Sequence, residues 1–365
     1  MKILDITTFL AQYAPPAYQE TYDNAGLITG NAQAQVSQAL VCLDCTEAVI
    51  NEAVKYNCNL IIAHHPIVFK GLKTFTGKTY VERVIIKAIQ NNIAIYAIHT
   101  NLDNVLNGVN GKIAQKLSLI NCKILAPKVG ILNKLITYSP LAYANKIRQA
   151  LFAAGAGNMG NYSETSFNSE GTGTFKGNDN SQAFVGKKNT QHHEAEIKIE
   201  VIFEAHLATP ILKALRQYHP YEKVAYDIIA LNNAHQQVGS GLIGELSEEI
   251  EEHEFLQHLK NTMQVSVIRH TQLLGKKIKT VALCGGSGSF LLGNAVGAGA
   301  DIFISADFKY HEFFDADNKI LIADIGHYES EQFTQELLIE IITKKFPTFA
   351  IRLTENNTNP IKYLA

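Results

Sequence analysis

The stretch Asn59-Leu60-Ile61-Ile62-Ala63-His64-His65-Pro66 decides the fold of this chain. Its apolar half predicts a buried strand, and the two imidazoles and the proline that follow mark the point where the strand ends. Helical patterns at residues 47–55 and 81–90 flank this strand, and further apolar runs lie at residues 39–43 and 93–98. This alternation of strands and helices predicts a layered α/β core.

The last third of the chain repeats the alternation. Strands are predicted at residues 280–284, 301–305 and 320–324, and residues 331–344 fit one long amphipathic helix. With 365 residues, the chain is long enough for about two domains. We therefore expect a single α/β core to which both ends of the chain contribute.

The middle of the chain has a different order of elements. The pattern predicts strand, helix, strand, glycine-rich hairpin, polar loop, strand, helix and strand at residues 134–138, 141–153, 162–168, 170–175, 177–191, 195–203, 209–217 and 225–231. A βαββαβ order is typical of a ferredoxin-like domain. We expect residues 131–234 to form such a domain, inserted into an α/β metal-binding core made of residues 1–130 and 235–365.

Side chains that commonly bind metals stand at three predicted strand ends. They are His64 and His65, then Asp103, then the pair His327 and Glu331. In an open α/β sheet, ligands bind outside the carboxyl ends of the strands, where several loops converge. Three imidazoles and two carboxylates suit Zn, Mn, Fe or Co better than Ca or Mg, and they suffice for two ions. The pattern predicts a two-metal hydrolytic site.

Each of these residues also has a plain structural interpretation. His64 and His65 could be one buried, hydrogen-bonded histidine and one surface histidine, and Asp103 could cap a turn. His327 and Glu331, spaced i and i+4, could be a surface pair on a helix. Because three independent strand ends each offer a ligand, the combination favours the metal site.

Three neighbouring features have their own alternatives. Glu329 points away from the helix face that His327 and Glu331 share, and we expect it to be solvated. The turn Cys-Gly-Gly-Ser-Gly-Ser at residues 284–289 could be an anion cradle or a tight strand–helix turn. Cys42 and Cys45 have the CxxC spacing but lack a second pair, which favours core thiols.

The composition narrows the class of protein. With 32 basic and 34 acidic residues, the net charge of -2 gives no case for nucleic-acid binding by bulk electrostatics. No segment approaches the roughly 18 apolar residues of a membrane span, and the first residues lack the apolar region of a secretory signal. The five cysteines are odd in number and lie mostly in apolar runs, as expected for reduced thiols of a cytoplasmic protein.

Five blocks of this sequence resemble the GTP cyclohydrolase 1 type 2 family, also called the Nif-three-like family. They are Tyr-Asp-Asn-Ala-Gly-Leu at 22–27, Leu-Ile-Ile-Ala-His-His-Pro at 60–66, His-Thr-Asn-Leu-Asp at 99–103, Asp-Phe-Lys-Tyr-His at 307–311 and Gly-His-Tyr-Glu-Ser-Glu at 326–331. The insert matches as well, at residues 155–162, 170–175 and 219–222. The resemblance therefore covers nearly the whole chain.

The resemblance implies a metal set, an activity and an assembly. It implies that His64, His65, Asp103, His327 and Glu331 hold two divalent ions, which could be Zn, Fe or Mn. It implies attack of water on C8 of GTP, with release of formate and formation of dihydroneopterin triphosphate. It also implies a toroidal homohexamer whose sites face the internal cavity, and an insert similar to the small trimeric signal-protein fold.

Two histidines outside the ligand set are candidates for proton transfer. His311 and His99 each lie next to a ligand-bearing strand end, and either could be a proton carrier or a structural histidine. The chain departs from the family pattern at Ser305-Ala306, where Thr-Gly is usual, and at Gly111, where Asp is common. Neither departure removes a ligand, but both concern the shape of the substrate pocket.

Other functions are compatible with the same residues. A two-metal centre could hydrolyse a phosphoester instead of a guanine nucleotide. The protein could also be a metal-binding regulatory or scaffold hexamer without cyclohydrolase activity. A ring that encircles nucleic acid would need a basic inner surface, which the overall charge does not favour. The expected partners are a small-molecule substrate, with GTP as the candidate, and further copies of this chain; no membrane partner is expected.

Overall fold

The computed structural model describes residues 1–364. Its strands are β1 (Gly26–Thr29), β2 (Ala39–Cys42), β3 (Leu60–Ala63), β4 (Ala94–Ala97), β5 (Ile120–Lys128), β6 (Leu132–Pro140), β7 (Phe167–Lys176), β8 (Gln191–Glu204), β9 (Tyr226–Leu231), β10 (His235–Glu251), β11 (Arg269–His270), β12 (Lys277–Ser287), β13 (Ile302–Ala306), β14 (Leu321–Asp324) and β15 (Ile351–Leu353).

The helices alternate with these strands in both terminal thirds. They are α1 (Ile3–Tyr13), α2 (Glu47–Lys55), α3 (Tyr80–Gln90), α4 (Thr100–Asp103), α5 (Val109–Lys116), α6 (Ala144–Ala153), α7 (Ala208–Tyr218), α8 (Glu252–Thr262), α9 (Leu292–Gly297), α10 (His327–Glu331) and α11 (Thr334–Lys345). Short 3₁₀ helices lie at Pro16–Tyr18, Ala205–Leu207, Ser289–Leu291 and Tyr310–Ala316. No helix within residues 1–364 is long and apolar enough to cross a membrane.

The described chain divides into two compact units. The first combines Met1–Ala126 with the residues from Gln237 onward, and the second is Pro127–Gln236. The corresponding limits predicted from the sequence are 131 and 234. The long strands β5 and β10 each run across one of the two borders.

The first unit contains two sheets. The five-stranded sheet has the order β1-β4-β3-β2-β15, and only β1 runs antiparallel to its neighbour. The six-stranded sheet has the order β11-β14-β13-β12-β10-β5, in which β12, β13 and β14 are parallel. Because parallel neighbours end at the same edge, each sheet delivers several loops to one place.

One hydrophobic cluster joins the two sheets. Ile62 of β3 belongs to the same buried cluster as Ile304 of β13 and Ala323 of β14. The other face of β3 contributes Ile61 to a separate cluster with α2 and α3. Because β3 is covered on both faces, its sequence is an unbroken apolar run. The predicted layered α/β core built from both chain ends is confirmed.

The second unit is an antiparallel sheet with helices on one face. Its elements follow the order β6-α6-β7-β8-α7-β9, and the sheet order is β7-β8-β6-β9. Buried residues of β8, among them Ile199 and Val201, pack with Ile147 of α6 and Ile211 of α7. This is the predicted ferredoxin-like insert.

Three local predictions were wrong. The strand predicted at residues 162–168 begins only at Phe167, as β7. Residues 170–175 do not form a hairpin; they lie inside β7 and pair along β8, so the reversal falls in the loop between these strands. Residues 331–344 do not form one helix, because α10 ends at Glu331 and α11 begins at Thr334. Gln332 uses its side-chain amide to donate to the carbonyls of Met263 and Glu329, and Phe333 is buried in the core.

Candidate metal centre

The strand ends of the two sheets in the first unit meet at a cleft of about 540 Å³. From the five-stranded sheet, β3 leads into His64 and His65, and β4 leads into His99 and the short helix α4 that ends at Asp103. From the six-stranded sheet, β14 leads into α10, which begins at His327 and ends at Glu331. The structure therefore brings together all five residues predicted as metal ligands.

His64 is completely buried and has a fixed orientation. Its backbone N–H donates to the carbonyl of Cys42, and its Nδ1 lies 2.8 Å from the carbonyl oxygen of Ile98. A carbonyl can only accept, so Nδ1 carries the hydrogen and Nε2 is left as the lone-pair nitrogen. Nε2 therefore faces the cleft as a potential metal ligand.

The other three histidines of the cleft are held in the same way, but by carboxylates. His65 Nδ1 lies 2.8 Å from Asp44, His99 Nδ1 lies 2.7 Å from Asp23, and His327 Nδ1 lies 2.7 Å from Asp307. Metal-binding histidines almost always donate their outer N–H to a carboxylate or carbonyl, which fixes the ring and its tautomer. All four rings show this arrangement.

Glu331 stands between the histidines. Its Oε2 lies 2.9 Å from Nε2 of His65 and 3.2 Å from Nε2 of His327, and its Oε1 lies 3.8 Å from Nε2 of His64. The carboxylate is 3 % exposed. Gly286, with a φ of +65°, makes this position possible, because a Cβ there would overlap Oε1 of Glu331.

Two buried polar atoms in this cluster have no hydrogen-bond partner within residues 1–364. They are Nε2 of His64 and Oδ1 of Asp103, and the distance between them is 3.5 Å. Buried polar atoms are nearly always paired, and an unpaired one is costly. The lone pair of His64 and an oxygen of ionised Asp103 cannot hydrogen-bond to each other, but both can bind a cation. The residues present therefore fit a metal ion.

Protons balance the charges of the cluster in the absence of a cation. Burial lowers the pKa of His65, but hydrogen bonds to Asp44 and Glu331 outweigh it and raise the pKa to about 10. Burial also lowers the pKa of His327, but hydrogen bonds to Asp307 and Glu331 outweigh it and raise the pKa to about 11. Burial, and then the charge of Glu331, raises the pKa of Asp103 well above its usual range. A divalent cation would replace these protons.

Three groups of side chains are close enough to hold an ion. They are His64 with Asp103 and Glu331, His65 with His327 and Glu331, and His64 with His65 and His99; the ligand atoms within each group lie within 4.8 Å of one another. The first two groups share Glu331. One carboxylate therefore belongs to two of the groups that could hold a metal ion.

The two predicted proton carriers have different positions. His99 lies in the cleft, and the centroid of its ring is 5.3 Å from those of both His64 and His65. It is therefore close enough to be a ligand itself. His311 lies on an exposed 3₁₀ helix, where its ring contacts Tyr310 and Phe314, and it does not line the cleft. The structure does not bring His311 to the metal cluster.

Sequence reasoning missed the three carboxylates that orient the histidines. Asp44 follows β2 and Asp307 follows β13, so both stand at strand ends like the predicted ligands. Asp23 precedes β1 within the block Tyr-Asp-Asn-Ala-Gly-Leu. Although burial raises the pKa of Asp23, hydrogen bonds from His99 and Thr100 lower it to about 2. Asp44 and Asp307 could therefore have been predicted from their position at a strand end, whereas Asp23 could not.

The prediction that Glu329 is solvated was wrong. Glu329 is 8 % exposed, and its Oε1 accepts a hydrogen bond from the Asn359 side chain at 2.9 Å. The C-terminal segment that contains Asn359 also reaches Asp44. The Thr358 hydroxyl donates to Oδ2 of Asp44 at 2.9 Å. Residues 359–361 also line the cleft. A segment distant in sequence therefore covers the helix face that was expected to meet water.

The glycine-rich stretch at residues 284–289 forms the last residues of β12 and the turn after it, and it lines the cleft. Two of its amides are already used, since Gly285 N–H donates to the Asn110 side chain and Gly286 N–H donates to the Ser330 hydroxyl. An anion cradle needs free amides that converge on one point. Of the two interpretations of this turn, the structural one therefore fits better.

Fold and site together define a layered α/β protein with a cluster of imidazoles and carboxylates that could bind metal ions. The chain matches the model of the family described as DUF34/NIF3 (NGG1p interacting factor 3) over residues 1–360. The chain belongs to this family, which confirms the resemblance found in the sequence.

Relatives of similar length carry one common name. The chain is 35 % identical to the "GTP cyclohydrolase 1 type 2 homolog" of Staphylococcus epidermidis, over 100 % of both chains. It is also 35 % identical to the protein of that name from Bacillus subtilis, over 98 % of both. Among solved structures, the Bacillus cereus protein related to NIF3 has a TM-score of 0.85 and 35 % identity, covering 100 % of this chain and 99 % of that one.

Proposed function

We propose that this protein is a hydrolase that uses two divalent metal ions in the cleft of its first unit, with a guanine nucleotide as substrate. One observation carries the proposal: four imidazoles have their outer nitrogens fixed by acceptors, and three of them turn Nε2 toward Glu331. Fixed ligands around a shared carboxylate are a feature of dinuclear hydrolases.

The ligand groups divide between two ions. His64 and Asp103 would hold one ion, His65 and His327 would hold the other, and Glu331 would contact both. When bound, two such ions supply a hydroxide nucleophile near neutral pH and polarise the group that it attacks. Zn, Fe and Mn all suit this mixture of nitrogen and oxygen ligands.

The walls of the cleft suit a flat substrate. Tyr22, Phe69 and Phe290 line it, and their side chains are 63 %, 47 % and 68 % exposed. Exposed aromatic rings at the mouth of a polar cleft can stack on a purine. The relatives are named for GTP cyclohydrolase, whose net reaction converts GTP and one water into formate and dihydroneopterin triphosphate.

His99 is suited to proton transfer in this reaction. Asp23 accepts its Nδ1–H, so the other ring nitrogen is available toward His64 and His65. A histidine held by a buried carboxylate can take up and release a proton at a fixed position. Opening the imidazole ring of guanine requires protonation of the leaving nitrogen, and His99 would supply that proton.

The assembly belongs to the same proposal. We propose that copies of this chain form the homohexamer implied by the family resemblance and act in the cytoplasm. Light scattering at working concentration should give the mass of six chains, and the mass of a monomer would contradict the assembly.

The direct test measures formate and pterin released from GTP by protein loaded with Mn, Fe or Zn. We expect metal-dependent turnover that is lost in His65→Ala and kept in Glu340→Gln, whose exposed carboxylate pairs with Lys112 outside the cleft. Two bound ions without turnover of GTP would refute the substrate and leave the metal centre. In that case, phosphoesters would be the next substrates to test.

A further inference from the structure

The insert contains a cavity of about 690 Å³ that the proposed function does not use. It is lined by β7, by residues of β8, and by the turn that follows α7. Residues 199, 201 and 203 of β8 face the helices, whereas Glu196 and Lys198 line the cavity, so the cavity lies on the helix-free face of the sheet. Its volume is within the usual range for small-molecule pockets.

A buried carboxylate lies in this cavity. Glu196 is 8 % exposed, and its Oε1 accepts a hydrogen bond from the Tyr221 hydroxyl at 2.7 Å. In the described part of the chain, no lysine, arginine or histidine forms an ion pair with it; Lys198, two residues along the strand, pairs with Glu200. Burying a carboxylate without a cation is costly, so a ligand that supplies a further donor would stabilise it.

The glycine-rich strand β7 makes room for this carboxylate. Gly171 pairs with Glu196 across the ladder, and Gly173 follows two residues later on the same face. A Cβ on Gly173 would overlap Oε2 of Glu196, whereas a Cβ on Gly171 would meet no atom within 4 Å. Gly173 is therefore needed for the position of Glu196, and Gly171 is not.

The block His219-Pro220-Tyr221-Glu222 fixes the other side of the cavity. His219 Nε2 lies 2.8 Å from the Tyr138 carbonyl, so Nε2 carries the hydrogen, and Nδ1 accepts from the Tyr221 backbone N–H at 3.1 Å. This places the Tyr221 hydroxyl against Glu196. Burial, and then the Glu196 carboxylate, raises the pKa of Tyr221, which stays a neutral donor.

Aromatic rings surround the carboxylate. The centroid of the Tyr221 ring lies 6.3 Å from that of Phe175 and 6.2 Å from that of Phe184, and both phenylalanines line the cavity. Aromatic faces attract flat and cationic groups. The cavity therefore presents Oε2 of the buried Glu196 in the same lining as these three aromatic rings.

We infer that this cavity binds a small molecule with a planar group whose N–H edge donates to Glu196 and whose face stacks on the aromatic wall. Guanidinium groups and 2-amino-heterocycles such as guanine share this chemistry. The site is separate from the metal cleft, because all its residues lie in the insert.

Isothermal titration calorimetry on the full chain tests the inference with agmatine, arginine, guanosine and adenosine as probes. We expect saturable binding of a guanidinium compound or of guanosine, and weaker binding of adenosine, whose ring N1 is an acceptor. Glu196→Gln should weaken this binding about tenfold to hundredfold, because a hydrogen bond to a charged group is lost. The matched control is Glu204→Gln, on the same strand and face but outside the cavity, where Glu204 pairs with His235; this variant should leave binding unchanged.

Further variants keep the test decisive if Glu196→Gln fails to fold. Gly173→Ala should displace Glu196 and weaken binding, and Gly171→Ala should do so far less. Binding should survive Glu331→Gln, which alters only the metal cleft. No binding of any probe at millimolar concentration, unchanged affinity in Glu196→Gln, or loss of binding in Glu331→Gln would overturn the inference.

Discussion

The metal cleft and the insert cavity are both pockets around a buried glutamate, yet they are built in opposite ways. In the cleft, Glu331 is surrounded by the nitrogens of three histidines, each held from behind by an acceptor. In the insert, Glu196 meets one tyrosine hydroxyl and a wall of aromatic rings. The first environment gathers nitrogen and oxygen atoms that a cation can bind. The second offers a buried acceptor beside aromatic rings to a neutral or cationic organic group.

The difference shows that burial alone does not tell what a carboxylate does. The cleft lies at the ends of parallel strands and on short helices, where many loops converge and several ligands can meet. The cavity lies on the face of an antiparallel sheet, where neighbouring side chains are spaced by the strand geometry, and its buried carboxylate shares the lining with the rings of Phe175, Phe184 and Tyr221. Chemistry is therefore expected at the first and recognition at the second.

The largest expected effect comes from exchanging each glutamate for its isostere. Glu331→Gln should reduce the metal content of the loaded protein from two ions per chain to nearly none, because the shared carboxylate is lost from both ligand groups. Glu196→Gln should leave the metal content unchanged. Plasma mass spectrometry after dialysis measures both. Equal losses of bound metal in the two variants would contradict the different roles given to Glu331 and Glu196.

A smaller effect is expected from the carboxylates that orient the histidines. Asp307→Asn should weaken metal binding about tenfold to hundredfold while the fold is kept, because His327 loses a charged acceptor at Nδ1. Asparagine tolerates the left-handed backbone of residue 307, whose φ is +58°. Competition with a chromophoric chelator gives the affinity. Asp317→Asn, at an exposed left-handed position, is the control, and an equal effect there would contradict the role of Asp307.

A few-fold effect is expected from the C-terminal segment. Thr358→Val removes the hydroxyl that donates to Asp44, which in turn holds His65. We expect metal affinity to fall by roughly threefold, because Asp44 keeps its bond to His65 but loses one of its supports. The same competition assay applies. Unchanged affinity would show that the segment covers the cleft without supporting its ligands.

The smallest effect concerns the attachment of that segment to α2. Burial raises the pKa of Glu52, but hydrogen bonds from Thr354, Glu355 and Asn356 outweigh it and hold the pKa below its usual value. A carboxyl group with a lowered pKa stabilises the fold above its unfolded pKa, and this stability is lost as the pH falls through the folded pKa.

Glu52→Gln should therefore unfold at lower urea than the wild type near neutral pH, and the difference should shrink below about pH 4. Urea unfolding at a series of pH values measures it. A difference that stays constant or grows toward acid pH would contradict the role of the Glu52 charge.

Much of the fold could be predicted because buried parallel strands leave a plain record. The sequences before His64 and before His327 are apolar on both faces of their strands. They predicted the two halves of the core and the sheet edge at which the candidate ligands lie. The break between α10 and α11 was not predicted, because the apolar periodicity continues across it. Phe333 is buried at the break although it belongs to neither helix.

The part of the candidate site that could be predicted consists of residues that directly follow a predicted strand. Five candidate ligands were predicted because each follows an apolar run, but Asp23, Asp44 and Asp307 were overlooked because a single carboxylate near a turn is common. His311 was named with His99 because it lies next to a ligand-bearing strand end, although the structure sets it on an exposed helix. Glu329 was misjudged because the segment that covers it, residues 357–361, lies close only after folding. Helical spacing cannot report such contacts.

Anomalous diffraction from crystals of the metal-loaded protein, recorded at the absorption edge of the ion, shows whether the cleft holds two ions. We expect two peaks in the cleft, one beside His64 and Asp103 and one beside His65 and His327, with Glu331 contacting both. A single peak elsewhere, or none at these residues despite bound metal, would contradict this expectation.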